Sequence, residues 1–222
     1  MPDDNPIRAV AFDLDGTLVN SEDLYELAGE EVLRRRGKTY DPLLREQVMG
    51  RPAVDSLRLI IDYHALADPI EDLIRECGEL MLEFMATSLA AMPGVYELLK
   101  DLDKAGVPYG VATSATRDYA DNVLTQLGIL DQFRFVITAE DVQHGKPDPE
   151  IYLLAAERFG IAPPRMMVLE DSANGCRAAV AAGAFTIAVP NHHTRNHNFT
   201  GVQFVADTLA DPRIRKTLAL RV

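Results

Sequence analysis

Short runs of apolar residues alternate with longer amphipathic segments along most of the chain. Continuous apolar runs of this length predict strands that are buried on both faces of a sheet. The predicted strands are 7–12, 107–112, 133–138, 166–169 and 184–189, with an edge strand at 202–206. Segments that end at glycines lie between them and predict helices at 93–105, 117–127, 148–159 and 172–182. This alternation predicts an α/β fold with a parallel sheet covered on both faces.

One region interrupts the alternation. Residues 21–91 show one helical pattern after another and no strand pattern. Its first segment, 21–36, places apolar residues on one helical stripe, which is typical of an amphipathic helix. We therefore predict an α-helical domain of residues 20–92, inserted into a core domain formed by residues 1–19 and 93–222. The two joins are predicted hinges.

Composition and charge limit the classes of partner. The 222 residues carry a formal net charge of −12, with 47% hydrophobic and 25% charged residues. An acidic chain repels nucleic acids and anionic membrane surfaces, so we expect neither as a partner. No apolar run reaches the roughly 18 residues of a membrane span.

Compartment and oligomeric state are predicted from the cysteines, the N-terminal residues and the helical stripes. Two cysteines, Cys77 and Cys176, do not make a disulfide framework and are typical of a reducing compartment. Together with an N-terminus that lacks the basic and apolar regions of a secretory signal, they predict a cytoplasmic location. The helical stripes leave no obvious spare apolar face, so we expect a monomer.

Polar residues follow the predicted strands where each strand ends. They are Asp13 and Asp15 after the first strand, Thr113 and Ser114 after the second, Lys146 after the third, and Glu170 and Asp171 after the fourth. In an open parallel sheet, ligands bind outside the carboxyl ends of the strands. We therefore expect these side chains to converge on one crevice.

Such a crevice suits phosphoryl transfer. Clustered carboxylates repel one another unless a cation lies among them, and oxygen ligands of this kind suit Mg²⁺. A carboxylate can act as the nucleophile and form an acyl phosphate. Its repulsion from an anionic phosphate is ~4 kcal/mol per pair of unit charges at ~4 Å in an intermediate dielectric, which Mg²⁺ and Lys146 would cancel. The predicted substrate is a small phosphorylated metabolite.

These residues lie in motifs that resemble a known family. The motifs are Asp13-Leu14-Asp15-Gly16-Thr17-Leu18, Thr113-Ser114, Gly145-Lys146-Pro147-Asp148-Pro149 and Leu169-Glu170-Asp171-Ser172. Their types and order resemble the four motifs of the haloacid dehalogenase-like phosphatase superfamily, and the match spans essentially the whole chain. The helical insertion resembles the cap of the subgroup that includes phosphoglycolate phosphatase and β-phosphoglucomutase. The resemblance implies a Rossmann-like core and a phosphoric monoester hydrolase.

The resemblance also implies roles for single residues. Asp13 would be the nucleophile, and Asp15 would protonate the leaving group and then deprotonate the hydrolytic water. Mg²⁺ would be held by Asp13, the backbone carbonyl of Asp15 and Asp171, with Glu170 acting through water. The phosphate would be bound by Thr113, the Ser114 backbone and Lys146. The second acid, Asp15, argues against the dehalogenase branch, and the absence of lysine from residues 21–36 argues against a phosphonatase.

A narrower resemblance concerns the substrate. The stretches 48–50, 60–62, 92–94 and 142–149 are similar to pseudouridine-5′-phosphatases. Pseudouridine 5′-phosphate therefore joins sugar phosphates and nucleotides as a candidate. A β-phosphoglucomutase-like sugar phosphomutase remains the alternative. Such mutases use a His and an Arg of the cap, whose positions fall near Tyr25 and Ala53 here, and neither of these residues can do that chemistry. A non-catalytic phosphate-binding protein is a further alternative.

Several other residues invite a functional interpretation. Tyr25 and Arg51 are candidates for contact with the leaving group, with ordinary packing as the alternative. The stretch 191–197 holds His192, His193 and His197, but its composition favours a solvated loop or substrate rim over a metal site. Ser172 is predicted to cap a helix, and Cys176 to pack in the core.

Overall fold

The computed structural model of the protein describes residues 7–48 and 53–220. These residues fall into two compact units: one of residues 7–20 and 90–220, the α/β unit, and one of residues 21–48 and 53–89, the helical unit. Among the described residues, no helix combines the length and the apolar character that crossing a bilayer requires.

A parallel sheet forms the centre of the α/β unit. Its strands in the described part of the chain are β1 (Ala9–Phe12), β2 (Tyr109–Ala112), β3 (Val136–Ile137), β4 (Met166–Glu170), β5 (Phe185–Ala188) and β6 (Phe204–Val205). Their order across the sheet is β3-β2-β1-β4-β5-β6, and every neighbouring pair is parallel. The predicted α/β class with a Rossmann-like sheet is confirmed. Because β1 lies between β2 and β4, the residues that follow these three strands meet at one edge.

Helices account for most of the remaining described residues. The helical unit contains α1 (Ser21–Arg35), α2 (Pro42–Val48), α3 (Ala53–His64) and α4 (Ile70–Ser88). The α/β unit contains α5 (Val95–Ala105), α6 (Arg117–Gln126), α7 (Glu150–Phe159), α8 (Ala173–Ala181) and α9 (Pro212–Thr217). Gly106 and Gly160 follow α5 and α7 in the left-handed conformation, with φ of +66° and +70°. A side chain is strained there, which is why these helices end at glycine.

Each unit has its own hydrophobic core. In the α/β unit, Ala9 and Ala11 of β1 and Met166 and Val168 of β4 share one buried cluster with residues of α7 and α8. Tyr152 and Phe159 of α7 pack there with Ala178 of α8. In the helical unit, α1 packs along α4, and both bury aliphatic residues on their facing stripes. Arg36 binds Asp68 at 2.7 Å and Glu76 at 2.8 Å, which ties the end of α1 to α4 and to the residues before it.

Two elements differ from the sequence expectation. The predicted strand 133–138 is reduced to β3, Val136–Ile137, because this edge segment pairs only with β2. Helix α9 was not predicted. It begins after Asp211, whose side chain accepts a hydrogen bond from the Arg213 amide at 2.8 Å, and it is only six residues long.

Candidate active site

The loop after β1 brings Asp13 and Asp15 to the carboxyl edge of the sheet. The Asp13 amide donates to the Leu169 carbonyl at 3.0 Å, so Asp13 extends the pairing of β1 with β4. Gly16 then turns the chain with φ of +75°. A Cβ on Gly16 would lie 2.6 Å from Asp171 Oδ2, which shows that the loop backbone lies directly against the second acidic motif.

Lys146 joins the ends of three strands through a buried ammonium group. Its Nζ donates to Asp13 Oδ1 at 2.5 Å, to the Ala112 carbonyl at 3.0 Å and to Glu170 Oε1 at 2.9 Å. An ammonium has three N–H donors, and these three acceptors match that number. The Lys146 side chain is 6% exposed, so its charge acts in a medium with little screening by water.

Both carboxylate oxygens of Glu170 accept hydrogen bonds from other groups of the protein. Its Oε1 accepts from Lys146 and from the Tyr152 hydroxyl at 3.3 Å. Its Oε2 accepts from the amide and the hydroxyl of Ser172 at 2.7 and 2.9 Å. Glu170 therefore holds Lys146 in place. The water-mediated contact with Mg²⁺ that the sequence predicts for Glu170 stays a prediction.

Asp171 follows directly and is 2% exposed. Asn191, in the loop after β5, donates from Nδ2 to Asp171 Oδ2 at 3.1 Å and to the Gly16 carbonyl at 3.2 Å. The Asn191 Oδ1 accepts from the amides of His193 and Thr194, which closes the loop on itself. Asn191 thus orients Asp171 and fixes its distance from the loop that carries Asp13.

Thr113 and Ser114 begin the loop after β2. Thr113 is 1% exposed, and its amide donates to the Ile137 carbonyl at 2.9 Å. Its hydroxyl oxygen accepts from the Ala115 amide at 3.0 Å, which leaves the hydroxyl hydrogen as a donor. Ser114 is exposed. Because Lys146 bonds the Ala112 carbonyl, this loop lies beside the ammonium group.

The Asp15 side chain is hydrogen-bonded to a tyrosine of a neighbouring helix. The Tyr119 hydroxyl donates to Asp15 Oδ1 at 3.0 Å. Tyr119 is the third residue of α6, which follows the Thr113 loop along the chain. The second acid is therefore linked to the element that continues from the predicted phosphate loop.

Burial and like charges control protonation in this group. Burial raises the pKa of Asp13 from 3.8 to about 8, and the charge of Lys146 opposes this rise. The negative charges of Glu170 and Asp15 add to it. Burial lowers the pKa of Lys146, but the carboxylates of Asp13 and Glu170 outweigh it and raise the pKa well above its usual value. The pocket thus holds more negative charge than Lys146 neutralises.

A cleft of about 420 Å³ opens beside these acids within the α/β unit. The loops after β1, β5 and β6 line it, with His192 and Arg195 among the lining residues. Both are exposed residues, so the cleft offers an imidazole and a guanidinium group that solvent can reach. The stretch 191–197 is a loop, as predicted, so His193 and His197 do not share a helix face.

The remaining sequence predictions concern Tyr25, Arg51, Ser172 and Cys176. Tyr25 lies on α1 in the helical unit and is 47% exposed, and Arg51 lies outside the described residues. Ser172 caps α8 by accepting from the Gly175 amide at 3.1 Å, so that prediction is confirmed. Cys176 is 1% exposed in the core, as expected.

Three residues at the site were missed by sequence reasoning: Tyr119, Tyr152 and Asn191. Tyr152 is fully buried with its ring 5.0 Å from Lys146 Nζ. The available signal for Tyr152 was its place one turn after the lysine motif, on the face that α7 turns toward the sheet. For Asn191 it was an amide directly after the fifth strand, at the same edge as the acids.

Residues 10–189 match the family described as haloacid dehalogenase-like hydrolase. The chain belongs to this family. The resemblance drawn from the four motifs is confirmed, since the matched region contains all of them.

Named relatives of this haloacid dehalogenase-like protein are phosphatases. Validoxylamine A 7′-phosphate phosphatase from Streptomyces hygroscopicus subsp. limoneus is 38% identical over 194 residues, which cover 84% of this chain and 87% of that protein. A Drosophila melanogaster protein named "Probable pseudouridine-5′-phosphatase" is 33% identical over 206 residues, covering 90% of this chain and 89% of that protein. The predicted class of enzyme, a phosphoric monoester hydrolase, is confirmed at the level of the family.

A solved structure extends the comparison to the fold. A HAD family hydrolase from Deinococcus radiodurans R1, solved with bound phosphate and sodium, has a TM-score of 0.83 and 30% sequence identity. The match covers 98% of this chain and 99% of that chain. The haloacid dehalogenase-like fold is therefore shared over nearly the full length of both chains.

Proposed function

We propose that the chain hydrolyses small phosphate monoesters in a Mg²⁺-dependent reaction that carries the phosphoryl group transiently on Asp13. The contact between Lys146 Nζ and Asp13 Oδ1, at 2.5 Å and out of bulk water, is the observation that carries the proposal. A buried ammonium beside a carboxylate nucleophile reduces the repulsion that an arriving phosphate meets. The phosphatase relatives support the same reaction class.

The first step transfers the phosphoryl group from substrate to protein. An oxygen of Asp13 bonds to phosphorus as the bond between phosphorus and the leaving oxygen breaks. The electron pair of the broken bond goes to the leaving oxygen, which takes a proton from Asp15. Thr113 and the Ser114 backbone hold the phosphoryl oxygens, and Lys146 turns one of its three N–H donors from its present acceptors toward them.

The second step returns the enzyme to its starting state. The oxygen of a water molecule bonds to phosphorus, and Asp15 accepts the proton that this water loses. The bond between phosphorus and Asp13 breaks, and its electron pair restores the Asp13 carboxylate. The products are the free alcohol and inorganic phosphate.

The residues present fit a Mg²⁺ ion. Buried carboxylates of Asp13 and Asp171, with the backbone carbonyl of Asp15, form the all-oxygen donor set that Mg²⁺ prefers. Burial raises the pKa of Asp13, the charges of Glu170 and Asp15 add to the rise, and a cation at this place would favour the ionised carboxylate. When bound, Mg²⁺ supplies charge neutralisation for the phosphoryl oxygens. Asn191 supports this set by holding Asp171.

The relatives and the motifs support a choice of substrate class. The phosphates named for two relatives, validoxylamine A 7′-phosphate and pseudouridine 5′-phosphate, support a phosphate monoester of a small metabolite. We place sugar phosphates and nucleotide-like monoesters first, with pseudouridine 5′-phosphate among them. The helical unit, with Tyr25 and Arg51, is the proposed cap that chooses among these leaving groups.

Phosphate release from p-nitrophenyl phosphate tests the proposal. The wild-type protein should release phosphate with added Mg²⁺ and stop when a chelator removes it. Asp13→Asn should lower the rate by roughly 10³-fold or more, because it removes the nucleophile. Asp131→Asn, at an exposed aspartate in the same unit, is the matched control and should behave as wild type. Equal rates for Asp13→Asn and wild type would refute the nucleophile assignment.

A screen of sugar phosphates then separates hydrolysis from isomerisation. The proposed phosphatase releases inorganic phosphate and leaves no isomeric sugar phosphate. An isomeric product without free phosphate would instead show a phosphomutase.

A further inference from the structure

A phenol lies against the acid that the proposed reaction uses for proton transfer. The Tyr119 hydroxyl donates to Asp15 Oδ1 at 3.0 Å, joining α6 to the loop after β1 across 104 positions of sequence. We propose that Tyr119 is a positioning residue, which holds the Asp15 carboxyl in the orientation from which it gives its proton to the leaving oxygen. The inference rests on the proposed function and adds Tyr119 to the residues that support it.

The helix that carries Tyr119 is firmly anchored. Arg117, two residues earlier, donates to the Val136 carbonyl at 2.8 Å and to Asp141 Oδ2 at 2.7 Å. Ala120, Val123 and Leu124 of the same helix are fully buried. A donor on such an element keeps its place as substrate enters, because moving it would break these contacts.

The backbone that carries Asp15 is fixed as well, but its side chain keeps two rotatable bonds. The Gly16 amide donates to the Val19 carbonyl at 2.8 Å, and the Leu18 amide to the Leu14 carbonyl at 2.9 Å. These backbone bonds hold the loop but do not act on the carboxyl group itself. The phenol hydrogen bond on Oδ1 restrains the plane of that group.

The same hydrogen bond selects the oxygen that carries the proton. Oδ1 accepts from the phenol, and because the carbonyl oxygen of a carboxylic acid is its better acceptor, this bond favours Oδ2 as the oxygen that carries the proton. Oδ2 is therefore the oxygen that serves the leaving group. A carboxyl group free to rotate would present the proton correctly for only part of the time, and the rate of proton donation would fall accordingly.

Two substrates whose leaving groups differ in basicity distinguish the positioning of Asp15 from a general role of Tyr119 in stabilising the fold. Phenyl phosphate and p-nitrophenyl phosphate have leaving groups of similar size, but phenolate needs protonation far more than nitrophenolate does. The ratio kcat/KM covers the steps through the first phosphoryl transfer, where Asp15 acts as the acid. A defect in proton donation therefore lowers kcat/KM for phenyl phosphate selectively.

The test compares Tyr119→Phe with wild type on both substrates in the presence of Mg²⁺. General acid catalysis contributes about 10²–10⁴-fold, so loss of positioning should lower kcat/KM for phenyl phosphate by about 10-fold or more and for p-nitrophenyl phosphate by less than about threefold. Tyr109→Phe is the matched control. Its hydroxyl donates to Asp103 Oδ1 at 2.8 Å, and Tyr109 begins β2 at the end remote from the site. This variant should keep the wild-type ratio between the two substrates.

A double variant adds a second readout. In the Asp15→Asn background the carboxyl group is gone, so Tyr119→Phe should lower kcat/KM for phenyl phosphate by no further factor. Equal losses on both substrates in Tyr119→Phe, or a full further loss in the double variant, would overturn the inference and leave the proposed function standing. A wild-type protein that hydrolyses neither substrate would refute the proposed function itself.

Discussion

Gly175 offers the sharpest structural test, because its missing side chain makes room for Glu170. A Cβ at this position would lie 1.4 Å from Glu170 Oε1 and 2.0 Å from Glu170 Cδ. The carboxylate cannot swing aside without losing its bonds to Lys146, Tyr152 and Ser172. Gly175→Ala therefore displaces the group that holds the buried ammonium.

The expected loss of stability combines two opposing effects. Alanine favours a helix over glycine by about 1 kcal/mol, which stabilises the variant. Removing one partner from a buried ion pair costs about 3–5 kcal/mol. Glu170 is 1% exposed, so this larger range applies, and the free energy of unfolding should fall by about 2–4 kcal/mol. Phosphatase activity should fall by about 10–100-fold, because Lys146 loses its support.

Urea denaturation followed by circular dichroism measures the stability, and phosphate release measures the activity. Gly78→Ala, on an exposed position of α4 with nothing within 4 Å of the added Cβ, is the matched control. It should gain about 0.4–1 kcal/mol and keep its activity. If Gly175→Ala matched this control in both stability and activity, the account of Glu170 would be wrong.

Three further predictions concern the metal site and the buried thiol. Asn191→Ala should weaken Mg²⁺ binding by about 10-fold, since Asp171 loses its donor, and calorimetric titration showing an unchanged affinity would contradict this role. Burial raises the pKa of Asp13 from 3.8 to about 8, so its protonation stabilises the metal-free protein fully below about pH 4, and this contribution is lost as pH rises through about 8. The rise in melting temperature caused by Mg²⁺ should therefore grow between about pH 6 and about pH 9, and should lose this dependence in Asp13→Asn. Burial also raises the pKa of the Cys176 thiol, so it should resist a disulfide reagent until the protein is denatured, and rapid labelling of Cys176 in the native protein would refute its burial.

Much of the fold could be predicted because its causes are local. The apolar runs that form β1, β4 and β5 are buried on both faces, as their continuous apolar composition predicts. Helix ends at Gly106 and Gly160 follow from the left-handed conformation that these positions adopt. Edge elements were predicted less well, because β3 and α9 are short and have few local determinants.

The convergence of the acids could be expected for a geometric reason. Residues after parallel strands meet at one edge, so Asp13, Lys146 and Glu170 were expected to approach one another, and they are in contact. Partners contributed by helices and distant loops could not be found in this way. Tyr119 and Asn191 reach the acids through the orientation of α6 and the closure of the loop after β5, which depend on tertiary packing.

Direct detection of a phosphoryl group on Asp13 tests the central claim. The protein is mixed with p-nitrophenyl phosphate and Mg²⁺, and the reaction is quenched in acid during turnover. The protein is then digested, and the masses of its peptides are measured by mass spectrometry. We expect a mass increase of one phosphoryl group on the peptide that contains Asp13, removable by hydroxylamine as acyl phosphates are, and absent from Asp13→Asn. Turnover with the label on another residue, or with Asp13→Asn labelled to the same extent, would contradict the account.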